Sequence, residues 1–296
     1  MQPFLPLSWR YQRGTSGTRL FPQALPLSHT QWLTLGDVSA TLDLSPLQKH
    51  PAHVIRGVHP LFLERLPAGQ ELLTGREALL DLRHKSHVRR SIRALARRGL
   101  RHGEMKTFHL HTEPLPPEWE TAYAQLEEEV NTQQQVPLAY MYRRSLYTSD
   151  RAWFFVRDKH ILGAISAVRS GPCSWHTEVL MRQPGAPVGI MEALVCEIFD
   201  TLKSEGERYW SLGEVPFYPT APPQHEQSRA IVFTGQRIEF AYRARGLLQF
   251  KEKFRPLWRP VYLYGYPRLR WRDLASMFWL SRTPLLIATK AWKGQP

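Results

Sequence analysis

The sequence predicts an α/β protein, and three observations carry that prediction. Short apolar runs of strand length alternate with segments of helical period along the chain. The second half sets out two strands, a third strand, a long helix and a further strand in succession. Hydrophobic residues make up 43% of the 296 positions, enough to build a packed core and to exclude bulk disorder.

The elements read as follows. Gln31 to Leu35 (QWLTL) is a strand ending at Gly36-Asp37, and Leu61 to Leu66 (LFLERL) and Glu71 to Thr74 are further strand candidates. Ser86 to Leu100 is the clearest helix. Val88, Ile92, Leu95 and Gly99 form one stripe, and Arg90, Arg93, Arg97 and Arg101 form another, with Gly99 or Gly103 as the stop. Prolines at 114, 116 and 117 interrupt regular structure, which puts a domain boundary near residue 110. Glu118 to Thr132 reads as an acidic helix. Trp153–Val156 and Ile161–Val168 read as a strand pair around a turn at 157–160, and Ser174–Met181 as the third strand. Val188 to Glu205 is an amphipathic helix, with Ile190, Leu194, Ile198 and Leu202 at four-residue spacing. Tyr209 to Leu212 is the next strand. This order is the one expected of an acetyltransferase-like fold.

The net charge of +13 and pI near 10 point to a polyanionic partner, either nucleic acid or an anionic membrane. Nine Lys or Arg lie between Arg83 and Lys106 against the single acid Glu104, a local charge of +8. Exposed helix faces usually alternate sign, and this one does not. Arginine also suits phosphate, because its fork meets two oxygens at once. Arg89, Arg90, Arg93, Arg97, Arg98 and Arg101 are the candidate phosphate ligands. Two cysteines, Cys173 and Cys196, are too few for a disulfide framework and fit a reducing, cytoplasmic compartment. The N-terminus lacks the apolar run of a signal peptide, and no stretch is long enough to span a bilayer. The nearest, Leu274 to Ala288, is broken at Ser281–Pro284. The His84/His87 and His109/His111 pairs lack partners at ligand spacing, so no metal is expected. No nucleophile elbow and no Walker-type phosphate loop is present.

Three stretches in the second half could carry chemistry. Arg182-Gln183-Pro184-Gly185-Ala186-Pro187 joins a strand to a helix, where acyl-CoA enzymes cradle pyrophosphate with backbone N–H groups. Pro187 has no N–H to give. Glu192 lies in the first turn of the following helix, where the dipole favours an acid; it could instead hold a substrate ammonium. Ser211-Leu212-Gly213-Glu214 follows about twenty residues on. In GLLQFKEKFRPLWRP (246–260), Phe250, Phe254 and Trp258 would pack one face, with Lys251, Lys253 and Arg255 between them. Trp271 to Trp292 combines Trp, Leu, Phe and Ile with terminal cations. It reads either as a last packed helix or as a segment lying on an anionic bilayer.

Taken together, the segments TLGDVSA (34–40), GREALLDL (75–82), VRRSIRALARRGLR (88–101), VLMRQPGAPVGIMEALV (179–195), YWSLGEVPF (209–217) and GLLQFKEKFRPLWRPVYL (246–263) resemble the catalytic domain of the phosphatidylglycerol lysyltransferase family, the aminoacyl-phosphatidylglycerol synthases. The resemblance covers nearly the whole chain but none of the multi-helix membrane domain that many members carry. It implies two tandem acetyltransferase-like (GNAT-like) domains joined by the basic helix 86–101. The expected boundaries are 1–110 and 111–270, followed by an amphipathic segment at 271–296.

The resemblance also implies a reaction: an aminoacyl ester on a tRNA 3′ end passes to a hydroxyl of a lipid such as phosphatidylglycerol. Aminoacyl-tRNA would be the donor and no cofactor would be needed. The partners would be aminoacyl-tRNA and an anionic lipid surface, with no DNA, and the protein would sit peripherally at the inner membrane surface. Lys251, Lys253 and Arg182 match family positions and are the expected catalytic groups. Glu192, Gly213, Glu214 and Glu178 are the expected substrate-binding residues. Val179 stands where the family has an acid, and strand alternation places neighbouring Glu178 on the opposite face. Two other functions fit the residues: an acyl-CoA-dependent N-acyltransferase acting on a small amine, and a non-catalytic tRNA- or membrane-binding protein.

Overall fold

The apolar runs assemble into one mixed sheet flanked by helices. The computed structural model describes residues 10–11, 20–35, 37–38, 44–134, 136, 138–139, 146 and 149–292. The strands are β1 (Arg10–Tyr11), β2 (Leu20–Ala24), β3 (Gln31–Leu35), β4 (Asp37–Val38), β5 (His53–Val58), β6 (Gln70–Asp81), β7 (Glu104–Phe108), β8 (Arg151–Arg157), β9 (His160–Gly171), β10 (Ser174–Arg182), β11 (Tyr209–Pro216) and β12 (Leu257–Tyr266). The helices are α1 (Pro60–Leu63), α2 (Arg90–Gly99), α3 (Pro117–Gln134), α4 (Ile190–Ser204), α5 (Glu226–Arg237), α6 (Ala244–Glu252), α7 (Trp271–Leu280) and α8 (Thr283–Trp292).

β1 and β4 pair separately. The other ten strands form a sheet in the order β2-β3-β5-β12-β6-β11-β10-β9-β8-β7. The last strand, β12, pairs antiparallel to both β5 and β6 and so sits inside the sheet rather than at its edge. The proline-rich stretch near residue 114 is the loop from β7 to α3, and the sheet continues across it through the pairing of β7 with β8.

The core explains the strongest sequence signals. Trp153 and Phe155 of β8 pack with Trp210, Leu194 and Phe199 on the face covered by α2 and α4. Phe154, between them, packs with Tyr123 and Leu126 of α3 on the other face. A strand buried on both faces reads as a continuous apolar run, and WFFV is one. α2 reaches α4 through glycine. A Cβ on Gly99 would lie 2.4 Å from the Gly189 carbonyl, so only hydrogen at both positions lets the backbones meet.

Two expectations are corrected. Leu61–Leu66 is not a strand: α1 and the turn after it bury Phe62 and Leu66, four residues apart, which is helical spacing. Phe250, Phe254 and Trp258 do share one core, but not one helix. α6 stops at Glu252, Arg255 takes a positive φ of 47°, Pro256 follows, and Trp258 belongs to β12. The break read at Ser281–Pro284 falls between α7 and α8, where Arg282 has φ 61°. Among the described residues, no helix is long and apolar enough to cross a membrane.

Candidate active site

β10 and β11 run parallel and stay in register only from Ser174↔Tyr209 to His176↔Ser211. Beyond that point both strands are bulged, β10 between Thr177 and Val179 and β11 between Ser211 and Glu214. Gly213, inside the second bulge, has φ 86°, a conformation that side chains disfavour. The strands part, and a cavity of about 430 Å³ opens against them. Its walls include residues 176–181 of β10, Leu212 to Glu214 of β11, Leu247 and Lys251 of α6, and Leu286 and Lys290 of α8.

The first bulge falls at Glu178, the residue expected to face away from Val179. Thr177 pairs with Ala167 and Val179 with Ser166, which leaves Glu178 as the extra residue. The extra residue interrupts the regular alternation, and the whole run 176–181, Glu178 and Val179 included, borders the cavity.

Lys251 is the buried cation of this site. It is only 4% exposed. α6 aims it inward because Phe250 and Phe254 anchor the flanking turns, their rings 5.3 Å apart edge to face. Its Nζ donates to the Glu214 backbone oxygen at 2.8 Å. It also lies 3.5 Å from where a Cβ on Gly213 would be, so the glycine leaves room for it. Burial drives its pKa down to about 8, against the pull of Glu214 and Glu77.

Five neighbouring strands supply a polar network around that lysine. Glu77 of β6 meets Arg259 of β12 at 2.5 Å and accepts the Ser211 hydroxyl of β11 at 2.5 Å. His176 Nδ1 of β10 lies 3.3 Å from the same carboxylate. Burial opposes ionisation of Glu77, but Arg259, His176 and Ser211 outweigh it and hold the carboxyl well below the usual range. Glu214 accepts Arg56 of β5 at 2.9 Å. Burial, helped by Arg259, pushes His59 down to about 4, so its imidazole is neutral at pH 7.

The expected site residues divide into two groups. Lys251, Gly213, Glu214 and Glu178 meet at the cavity. Lys253, Glu192 and Arg182 do not join them there. Lys253 is largely exposed and bonds the buried Glu192 carboxylate at 2.8 Å. Arg182 donates to the Ala186 carbonyl and so ties down the β10–α4 loop. The arginine stripe divides as well. Arg93 forks onto both oxygens of Asp200 at 2.8 and 2.9 Å, and Arg89 bonds the Ser91 hydroxyl. Arg90, Arg97, Arg98 and Arg101 are exposed and have no acidic partner among the described residues.

Sequence reading assigned no role to Arg56, Glu77, His176, Ser211 or Arg259. No motif spacing links five residues drawn from five strands. Glu77 and Ser211 do lie inside segments already singled out, GREALLDL and YWSLGEVPF, and an acid in the middle of an apolar strand was the available signal.

The chain belongs to the phosphatidylglycerol lysyltransferase C-terminal family, whose model matches residues 47–265. A phosphatidylglycerol lysyltransferase of Bacillus subtilis (strain 168) is 37% identical over 89 residues. That match takes in 28% of this chain and 10% of the relative, so the chain spans about a tenth of that protein. Two solved structures share the fold. The C-terminal domain of a putative lysylphosphatidylglycerol synthetase from Agrobacterium fabrum has a TM-score of 0.66 at 18% identity, covering 90% of this chain and 84% of that one. L-PGS from Bacillus licheniformis has a TM-score of 0.66 at 19% identity, covering 92% and 89%.

Proposed function

We propose that the chain is an aminoacyltransferase that moves an amino acid from aminoacyl-tRNA to a hydroxyl of a membrane lipid such as phosphatidylglycerol. The observation that carries this reading is the buried Lys251 ammonium at the point where β10 and β11 part, facing a cavity walled by Glu178.

The donor ester is already activated, so the protein must position and stabilise rather than activate. The lipid hydroxyl oxygen attacks the ester carbonyl carbon. The new C–O bond forms, and the carbonyl oxygen takes the negative charge, which Lys251 stabilises. Collapse breaks the bond to the tRNA ribose oxygen, and the proton lost by the lipid hydroxyl ends on that oxygen. Glu178 offers a carboxylate to the substrate α-ammonium. The unpaired arginines Arg90, Arg97, Arg98 and Arg101 bind tRNA phosphates. Lys253, Glu192 and Arg182 act from the side, holding the first turn of α4 and the loop before it. In this reading the sheet comprises two acetyltransferase-like halves, 1–110 and 111–270, with β12 returning to pair in the first.

The acyl-CoA alternative is disfavoured at the α4 N-terminus. Pro187 lacks an amide hydrogen, and α2 packs directly against Gly189, leaving little room for a pyrophosphate. The test is transfer of radiolabelled amino acid from charged tRNA into extractable lipid, alongside a coenzyme A binding titration. Label in lipid without coenzyme A binding is the expected result. Saturable coenzyme A binding with no labelled lipid would replace this reading with the acyl-CoA one.

A further inference from the structure

α7 packs Leu274, Met277 and Leu280 inward but leaves its aromatic side chains outside. Its buried positions include Asp273 and Ser276, both 0% exposed, while Trp271 and Trp279 are 53% and 70% exposed. A helix packed on a water-soluble domain normally turns its aromatic stripe inward and its carboxylates outward. Trp271, Ala275, Phe278 and Trp279 recur at i, i+4, i+7 and i+8, so the outward stripe is continuous along the helix. α8 extends it with Leu285 at 56% and Trp292 at 91% exposed. Five of the eleven large hydrophobic side chains exposed on the described surface fall in these two short helices, which therefore form a patch and not scatter.

The charge around the patch has one sign. Arg268, Arg270, Arg272, Arg282 and Lys290 lie in or beside α7 and α8, and the single acid among them, Asp273, is buried and caps the start of α7. Tryptophan with flanking cations is the composition of a segment that rests in the headgroup layer of an anionic bilayer. The patch also adjoins the site. The inner side of α8 places Leu286 and Lys290 in the cavity wall, and exposed Phe240 lies on the same wall. Residues 271–292 lie outside the family match at 47–265.

We infer that α7 and α8 dock the protein on an anionic bilayer and hold the cavity mouth at the headgroup layer, so that the acceptor lipid enters without leaving the membrane. The role given to the acceptor rests on the proposed lipid aminoacyl transfer; the docking itself does not.

The test is flotation of the full chain with vesicles of phosphatidylcholine alone or mixed equally with phosphatidylglycerol, for the native protein and for Trp271→Ser/Trp279→Ser. Both substituted side chains are exposed, and circular dichroism checks that the fold is kept. The native chain floats with the anionic vesicles and is released by salt, and the double variant binds them roughly tenfold more weakly. Transfer is then compared on vesicles and on a short-chain, monomeric phosphatidylglycerol. The variant loses transfer to vesicles and keeps transfer to the monomeric lipid. If neither acceptor is labelled by the native chain, the proposed function fails while the flotation result still decides docking. Equal flotation of native and variant protein overturns the inference. So does a native dimer that the variant splits without change in vesicle binding, because the patch would then join two copies of the chain.

Discussion

Replacing Lys251 with methionine should flatten the alkaline part of the stability curve while abolishing transfer. Methionine keeps the length and apolar stem of the side chain and removes the ammonium. An ordinary lysine titrates near 10.5 and Lys251 at about 8, because burial penalises its charged form. Between those values the unfolded chain holds a proton that the folded chain has released, so native stability rises with pH across that window. The full gap corresponds to about 3 kcal/mol, of which about 2 falls between pH 8 and 10. Urea unfolding of both proteins at intervals from pH 7 to 10 isolates the effect. Other buried groups, such as Cys196 with its thiol pushed up to about 11, cancel in the difference. The native-minus-variant stability should climb by about 2 kcal/mol over that range. Transfer by the variant should fall by about 100- to 1,000-fold, the usual loss when an oxyanion-stabilising group is removed. Parallel stability curves would refute the argument, since Lys251 would not then be a desolvated ammonium.

Three further outcomes are expected. Glu77→Gln removes the carboxylate that Arg259 meets at 2.5 Å and should lower stability by about 3 kcal/mol at pH 7, read by urea unfolding. Because the Glu77 carboxyl lies below its usual 4.5, its contribution is present above that pH and lost as the native protein is acidified further; the variant should lack this acid-side loss. Changing Arg97, Arg98 and Arg101 together to Gln should weaken tRNA binding and reduce the slope of log K against log salt by about 1 for each phosphate that is no longer neutralised, measured by filter binding. Gly99→Ala should force α2 away from Gly189 and lower stability by about 1 to 3 kcal/mol by thermal unfolding, leaving the Lys251 cavity chemistry in place.

The parts of the structure that obey a local period were open to sequence reading. β8, β9, β10, α4 and β11 follow from runs whose spacing their own residues set, and the arginine stripe of α2 follows from its heptad-like recurrence. The bulges were not legible. Nothing in Thr177-Glu178-Val179 marks an extra residue in the ladder, so strict alternation could not show that the register shifts there. The buried network was hidden for a similar reason. Arg56, Glu77, His176, Ser211 and Arg259 are brought together by β12 inserting between β5 and β6 and by β11 joining β6, which are long-range pairings with no local signature. The family resemblance pointed to Lys251 and Lys253 as a pair. Two residues apart at the end of a helix, however, they diverge, Lys251 inward to Glu214 and Lys253 to Glu192 on α4.

The most direct test of the account is label transfer from charged tRNA to extractable lipid, run over a panel of amino acids with the native chain, Lys251→Met and Lys253→Ala. The account predicts a lipid product with at least one amino acid, near-complete loss in Lys251→Met, and a smaller loss in Lys253→Ala. Undiminished transfer in Lys251→Met, or no labelled lipid with any amino acid of the panel, would contradict it.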